Sequence, residues 1–306
     1  MKKVIVTGAN GFVGSAVCCE LSKRGIEIIA VVKDEMANLA AIMDLPGVRL
    51  VYCELSQYCS LPDKIPDRDV DALFHFAWLG NAGSSRGNDR VQLSNVQATC
   101  DLVRACGALG CNRFVFASSI MGYEVMAQME KNLIPSINTL YSTAKLTADY
   151  MAAAIAASLG ITYIRAVISN IYGPGETSPR LINSSLRKLI RGEHCSFSSG
   201  EQQYDFIYIA DAALALIALG EKGFGNKMYY IGSLNPQPLK AFLLEMRDQV
   251  DPSIPIGLGE LPSDTLSCPY DKLDLEAVKR DTGVVPQTSF AEGIKKTLDW
   301  IKRQEA

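Results

Sequence analysis

Tyr141 and Lys145 stand four residues apart in the run Tyr141-Ser-Thr-Ala-Lys145, and no other tyrosine in the chain precedes a lysine by four. On a helix, that spacing puts both side chains on one face. An ammonium beside a phenol favours the phenolate and lowers a pKa that is ordinarily about 10. The phenol then acts as general acid toward a carbonyl oxygen, or the phenolate as base toward a hydroxyl. Ser118-Ser119 follows the apolar run Phe114-Val-Phe-Ala117. Hydroxyls at the carboxyl end of such a strand face a ligand crevice, where one can donate to the same oxygen. Taken singly, the pair reads as an exposed helical contact and the serines as a turn or cap.

A carbonyl reaction of this kind needs a hydride carrier, and the first residues supply a site for one. The strand Val4-Ile5-Val6 runs into Thr7-Gly8-Ala9-Asn10-Gly11-Phe12-Val13-Gly14, with glycines spaced G-x-x-G-x-x-G, and a helical pattern follows. Glycines let the backbone approach a pyrophosphate, and the N–H groups of the new helix face its charge. Gly8, Asn10, Gly11, Phe12, Val13 and Gly14 are the expected contacts. The second strand ends at Val31-Val32-Lys33. An NAD site places a carboxylate there for the ribose hydroxyls, whereas Val32 followed by the cation Lys33 suits a 2′-phosphate. NADP is therefore expected, with NAD as the alternative if Asp34 takes the ribose. Glu54-Leu55 would lie near the adenine, and Phe76-Ala77-Trp78 near the phosphates and ribose.

The elements that must position these groups alternate. Strands are expected at Val4–Val6, Ile26–Val32, Val48–Cys53, Ala72–Ala77, Phe114–Ala117 and Thr162–Ile168. Helices are expected at Ser15–Lys23, Met36–Met43, Val91–Leu109 and Tyr141–Ser158. Repeated strand–helix units with nearly all-apolar strands specify an α/β fold, a Rossmann-type doubly wound parallel sheet covered on both faces. After residue 170 Pro and Gly cluster, and helices are expected at Pro179–Arg191, Asp211–Glu221, Pro238–Val250, Leu273–Asp281 and Ser289–Lys302. This gives a smaller, mainly helical C-terminal substrate lobe. The expected division is 1–170 plus about 204–232 for the cofactor and 171–203 with 233–306 for the substrate.

Composition bounds the partners. A net charge of -3 over 306 residues gives no reason to expect nucleic acid or an anionic membrane. The apolar run after Met1-Lys2-Lys3 is too short for a signal peptide, and no run approaches the length of a membrane span. The nine cysteines include no C-x-x-C pair, and there are only two histidines. No metal site is expected, and reduced thiols in a cytoplasmic protein are.

Together, Gly8-x-x-Gly11-x-x-Gly14, Asn95, Ser118-Ser119, Tyr141-x-x-x-Lys145, Asn170-Ile-Tyr-Gly-Pro-Gly175, Tyr204-Asp205-Phe206 and Asp281-Thr-Gly283-x-x-Pro286 resemble the extended short-chain dehydrogenase/reductase family. Within it, the chain looks most like the nucleotide-sugar epimerases, dehydratases and reductases. The resemblance implies that Tyr141 is the acid/base and that Lys145 holds the nicotinamide ribose. Ser119 would polarise the reacting oxygen, with Ser118 as its stand-in. Asn95 would lie on the central helix behind the cofactor, Ile168 would line the nicotinamide pocket, and Asn170 would face the sugar or its diphosphate. It also implies a homodimer formed through Val91–Leu109 and Tyr141–Ser158, where Ala152, Ala153, Ala156 and Ala157 would allow close packing. The bland alternative is that these alanines pack on their own sheet.

Three positions depart from the family pattern. The segment after the serines is Ile120-Met121-Gly122-Tyr123, so the loop is altered. Tyr204 stands where an arginine usually clamps the diphosphate, and Leu266–Asp271 holds no second arginine. Either Arg180, Arg187 or Lys188 compensates, or the substrate carries no nucleotide. The dehydratases' acidic pair is absent at Ser119-Ile120-Met121. The expectation is therefore an NADP-dependent reductase of a keto group, at C4, of a sugar nucleotide. The alternative is an NAD-dependent UDP-sugar 4-epimerase. A cofactor-sensing regulator has no need of Ser119, Tyr141 and Lys145 together.

Overall fold

Alternation within single strands explains the architecture. In β1 (Lys3–Thr7), Ile5 enters one apolar cluster while Val4 and Val6 enter another. Successive strand side chains point to opposite faces, so a strand buried on both sides must be apolar throughout. A computed structural model describes residues 1–262 and 268–305. The other main-sheet strands are β2 (Glu27–Val32), β3 (Val48–Tyr52), β4 (Ala72–His75), β5 (Arg113–Ser119), β6 (Thr162–Ile168) and β7 (Lys227–Ile231). Their order is β7-β6-β5-β4-β1-β2-β3, and every pairing is parallel. This is the doubly wound sheet expected. The order reverses between β1 and β4, which opens the crevice at their carboxyl ends.

Helices cover both faces. On one side α1 (Phe12–Lys23) and α6 (Ile209–Lys222) pack Val17, Leu21, Leu216 and Leu219 against Val4, Val6 and Phe74. On the other, α2 (Asp89–Ala108) and α4 (Leu140–Ser158) pack Leu102, Val103, Ala148 and Ala152 against Ile5, Leu73, Phe114 and Phe116. The small α4 residues Ala152 and Ala156 therefore face this protein's own core, each 0% exposed. Tyr150 and Met151 lie on the outer face, with Leu93 of α2 also exposed. Between α2 and α4 in the chain lies α3 (Gly122–Glu130).

The C-terminal part is mainly helical, as expected. It has its own core, in which Leu186 of α5 (Leu181–Ile190), Phe242 and Leu243 of α7 (Leu239–Asp248), and Ile294 and Leu298 of α8 (Phe290–Glu305) pack on Phe206 of the short strand 206–208. The parallel pair of 170–172 with 206–208 ties it to the end of β6. Among the described residues, no helix is long and apolar enough to cross a membrane, and no group of His, Cys, Asp or Glu could hold a metal ion.

Two expectations are corrected. Residues 36–43 form turns and no helix. The Asp34 carboxylate accepts from Met36 N at 3.0 Å and the Asn38 side chain from Ala40 N at 3.1 Å. Such local bonds compete with the helical ladder. The helix expected at 273–281 forms only at Ala277–Thr282, after a short 3₁₀ turn at Tyr270–Lys272.

At the crevice, Gly8 has φ +66°, and a Cβ there would lie 2.6 Å from Ala77 N. A side chain at Gly8 is excluded by both conformation and space. Gly8→Ala should destabilise the protein by about 1–3 kcal/mol, read as a lower urea midpoint. An unchanged midpoint would contradict the close approach of β1 and β4.

Candidate active site

α4 carries Tyr141 and Lys145 one turn apart beneath a cavity of about 440 Å³. Ser118 and Ser119 reach it from the end of β5, Ile168 from the end of β6, and Val13 from the first turn of α1. Phe76 and Trp78 line it beyond β4, and Asn170, Arg180 and Tyr204 come from the C-terminal side. Gly8, Asn10, Gly11, Phe12, Gly14, Val32, Lys33, Glu54, Leu55, Ala77 and Asn95 lie outside this lining.

Helix α1 begins after Gly11, which offers no side-chain cap. Its leading N–H groups and the close Gly8 turn fit an anionic pyrophosphate. These features accommodate a dinucleotide with Val13 toward the cavity. Asn10 instead bonds Asn38 O at 3.2 Å, tying the loop to the turns beyond β2. Val32 is buried, while Lys33 is exposed, with its ammonium 3.5 Å from Asp34. Glu54 is exposed and Leu55 half-buried at the end of β3.

The Tyr141–Lys145 pair differs from its expected electrostatics. Burial raises the Tyr141 pKa, while Arg180, Arg86 and the Ser119 hydroxyl each oppose that rise. The expectation that Lys145 lowers it is corrected. The Lys145 ammonium donates to Ala117 O at 2.9 Å and lies 3.9 Å over the Trp78 ring. The same burial pulls the Lys145 pKa down to about 7, against the pull of Asp149.

Ser118 is also corrected. It borders the cavity, but its hydroxyl donates to Asp149 Oδ2 at 2.7 Å. Asp149, 2% exposed, also accepts from Tyr163 at 3.0 Å and from Arg165 at 2.8 Å. A hydroxyl held by a buried carboxylate is not free to replace Ser119, which accepts from Met121 N at 3.2 Å and meets the Tyr141 hydroxyl. Asn170 donates to Asp205 O at 3.1 Å and so anchors the C-terminal side. Tyr204 packs on Phe206, with ring centroids 5.6 Å apart.

Asn95 is fully buried and does not reach the cavity. Its amide accepts from Leu79 N at 2.8 Å and donates to Leu79 O at 2.9 Å. One turn earlier, Gln92 donates to Gly80 O at 2.9 Å and accepts from Trp78 Nε1 at 3.0 Å. These two residues of α2 fix the loop 78–87 over the site. Behind them, Thr99 donates to Asn95 O, so His75 Nε2–H must donate to Thr99 and His75 Nδ1 accept from Thr7. The ring is neutral, because burial drives its pKa down to about 3.

Sequence reasoning missed Arg86 and Glu176. Arg86 stands on the loop 78–87 with its guanidinium 4.5 Å from the Tyr141 ring centroid. Glu176 is buried, bonded to Ser178 and 3.6 Å from Arg180. Neither has a spacing signal, since each enters the cavity from a loop.

Fold and site together define a dinucleotide-binding α/β enzyme with a tyrosine–lysine–serine centre. The model of the "NAD dependent epimerase/dehydratase family" matches residues 4–232. The chain belongs to that family, and its relatives include nucleotide-sugar dehydratases, epimerases and reductases as well as a 2-alkyl-3-oxoalkanoate reductase. YtcB of Bacillus subtilis (strain 168), described as an uncharacterized UDP-glucose epimerase, is 26% identical over 228 residues, 71% of this chain and 72% of its own. The dTDP-4-dehydro-6-deoxy-D-allose reductase of Streptomyces sp is 27% identical over 98% of this chain and 96% of its own. The chain spans about half the length (47%) of the trifunctional Arabidopsis thaliana relatives it also matches. The crystal structure of Bordetella bronchiseptica WbmF in complex with NAD+ and UDP shares the fold. Its TM-score is 0.80 at 22% identity, over 99% of this chain and 93% of that one.

The depressed Lys145 pKa has a consequence for the protein without cofactor. Its folded value lies below the unfolded one, so the unfolded chain binds the proton first as pH falls. Lys145 therefore lowers stability progressively from about pH 10 down to about pH 7. Lys145→Met should flatten the rise of the melting temperature across that window. An unchanged slope would exclude a buried, desolvated Lys145.

Proposed function

We propose that this enzyme is an NADP-dependent reductase of a keto sugar nucleotide. The observation that carries the reading is the tip of β2, where Val32 is buried and the exposed cation Lys33 follows. A carboxylate at the tip would repel a 2′-phosphate; a cation attracts one. An exchangeable NADPH suits net reduction, and the 27% identical Streptomyces relative is named as a reductase.

When bound, the cofactor supplies a hydride to the ketone carbon. Tyr141 delivers the proton to the ketone oxygen, so ketone, hydride and proton become an alcohol. Ser119 donates to the same oxygen and holds it beside the phenol. Lys145 is drawn from Ala117 O toward the nicotinamide ribose. Trp78 closes one side of the site and keeps water from the transfer. The cofactor is held by 1–170 with about 204–232, and the sugar nucleotide by 171–203 with 233–306. Asn170, Arg180 and Tyr204 contact the substrate. The exposed faces of α2 and α4, with Leu93, Tyr150 and Met151, are the dimer contacts in this reading.

The second reading, an NAD-dependent UDP-sugar 4-epimerase, rests on Asp34, which stands beside Lys33 and would accept from an unphosphorylated ribose. The description of the Bacillus relative as a UDP-glucose epimerase supports it.

A thermal-shift panel of NADP, NAD, UDP, CDP, GDP and dTDP separates the two. NADP should stabilise more than NAD, and Lys33→Glu should reverse that order. Stronger stabilisation by NAD, or NAD that copurifies, would replace the reductase with the epimerase. Tyr141→Phe should keep the cofactor shift and lose turnover by about 10²-fold or more. Retained turnover would end both readings.

A further inference from the structure

Arg86 is a cation without an anion. Among the described residues it forms no ion pair, and the only hydrogen-bond acceptor of its guanidinium is the Met121 thioether, a weak one. Its Nε is buried with no partner. The other arginine of the cavity, Arg180, has Glu176 beside it. A buried guanidinium nitrogen without an acceptor is costly unless a ligand supplies one. The backbone leading to Arg86 is held in place, because Gln92 and Asn95 bond it at Leu79, Gly80 and Ser85. Gln92 Nε2 donates to Gly80 O at 2.9 Å and to Ser85 O at 3.2 Å, next to Arg86 itself. Gly80, with φ +67°, turns the chain there, and a Cβ on it would lie 2.9 Å from Ser85 O.

The position of this cation limits what it can serve. It lies against the face of the tyrosine that delivers the proton, at the reacting end of the cavity. Tyr204 occupies the place of an arginine on the 203–204 strand, which is committed to pairing with 237–238. An anion entering the cavity therefore meets a free guanidinium on the loop 78–87.

We infer that Arg86 is an anion-binding specificity residue of the substrate site, taking an oxyanion of the substrate through its Nε and a terminal nitrogen beside Tyr141. The inference rests on the sugar-nucleotide reading above. An oxyanion of this kind has two sources: a carboxylate on the sugar, or a phosphate of the nucleotide. A planar fork of donors accepts either as a bidentate pair.

The test uses the full chain saturated with NADP, as wild type, Arg86→Gln and Arg86→Lys, in calorimetric titrations with glucuronate, glucose and inorganic phosphate. At least one of glucuronate and phosphate should bind more tightly than glucose. Arg86→Gln should weaken that anion about tenfold or more and leave glucose unchanged. Arg86→Lys should restore part of the loss, since it keeps the charge but not the fork. Preference for glucuronate assigns the site to a sugar carboxylate, and preference for phosphate assigns it to the nucleotide. Anion binding equal in wild type and Arg86→Gln, or no anion preference in wild type, would overturn the inference. The NADP shift of each variant is read in parallel. Its loss in wild type would strike the reductase reading, and its retention with no anion preference would strike Arg86 alone.

Discussion

The close approach of the first turn to the end of β4 organises everything beyond it. Gly8 can sit against Ala77 only because it carries no side chain and adopts φ +66°. That contact places the start of α1 beside Phe76 and Trp78 at the point where strand order reverses. From Trp78 the dependence runs outward. Its ring lies under the Lys145 ammonium and edge-on to Tyr141, with ring centroids 6.1 Å apart. The glycine turn thus sets one wall of the cavity as well as the crevice below it.

Polar groups buried on the α2 side transmit the same constraint. Thr7, His75, Thr99 and Asn95 form one hydrogen-bonded chain from β1 to the loop over the site. Every member has a partner, which is the condition for burying such groups at modest cost. A neutral His75 fits this chain, because a charged ring would have two donors and no acceptor role toward Thr7.

The site balances burial against charge. Burial pushes Tyr141 up and Lys145 down, so each group is held toward its neutral form. Arg86 and Arg180 oppose the effect on Tyr141, whereas Asp149, one turn further along α4, opposes it on Lys145. Ser118 is drawn into that rear network and Ser119 is left to the cavity. Two adjacent serines of identical chemistry are separated by the alternation of one strand.

Glycine spacing, apolar strands and the Tyr141–Lys145 interval were legible in the sequence, because each follows from a local period or a steric rule. The order of alternating elements carried the doubly wound sheet in the same way. The false helix at 36–43 shows the limit of that logic, since side chains two residues back took the N–H groups a helix needs. Three facts were decided only by the tertiary structure. Lys145 turns to Ala117 and Trp78, Asn95 serves the loop backbone, and Arg86 reaches Tyr141 across some fifty-five residues of chain. The physical reason is the same in each case. Sequence sets what a side chain can bond, but burial decides which partners remain within reach once water is gone.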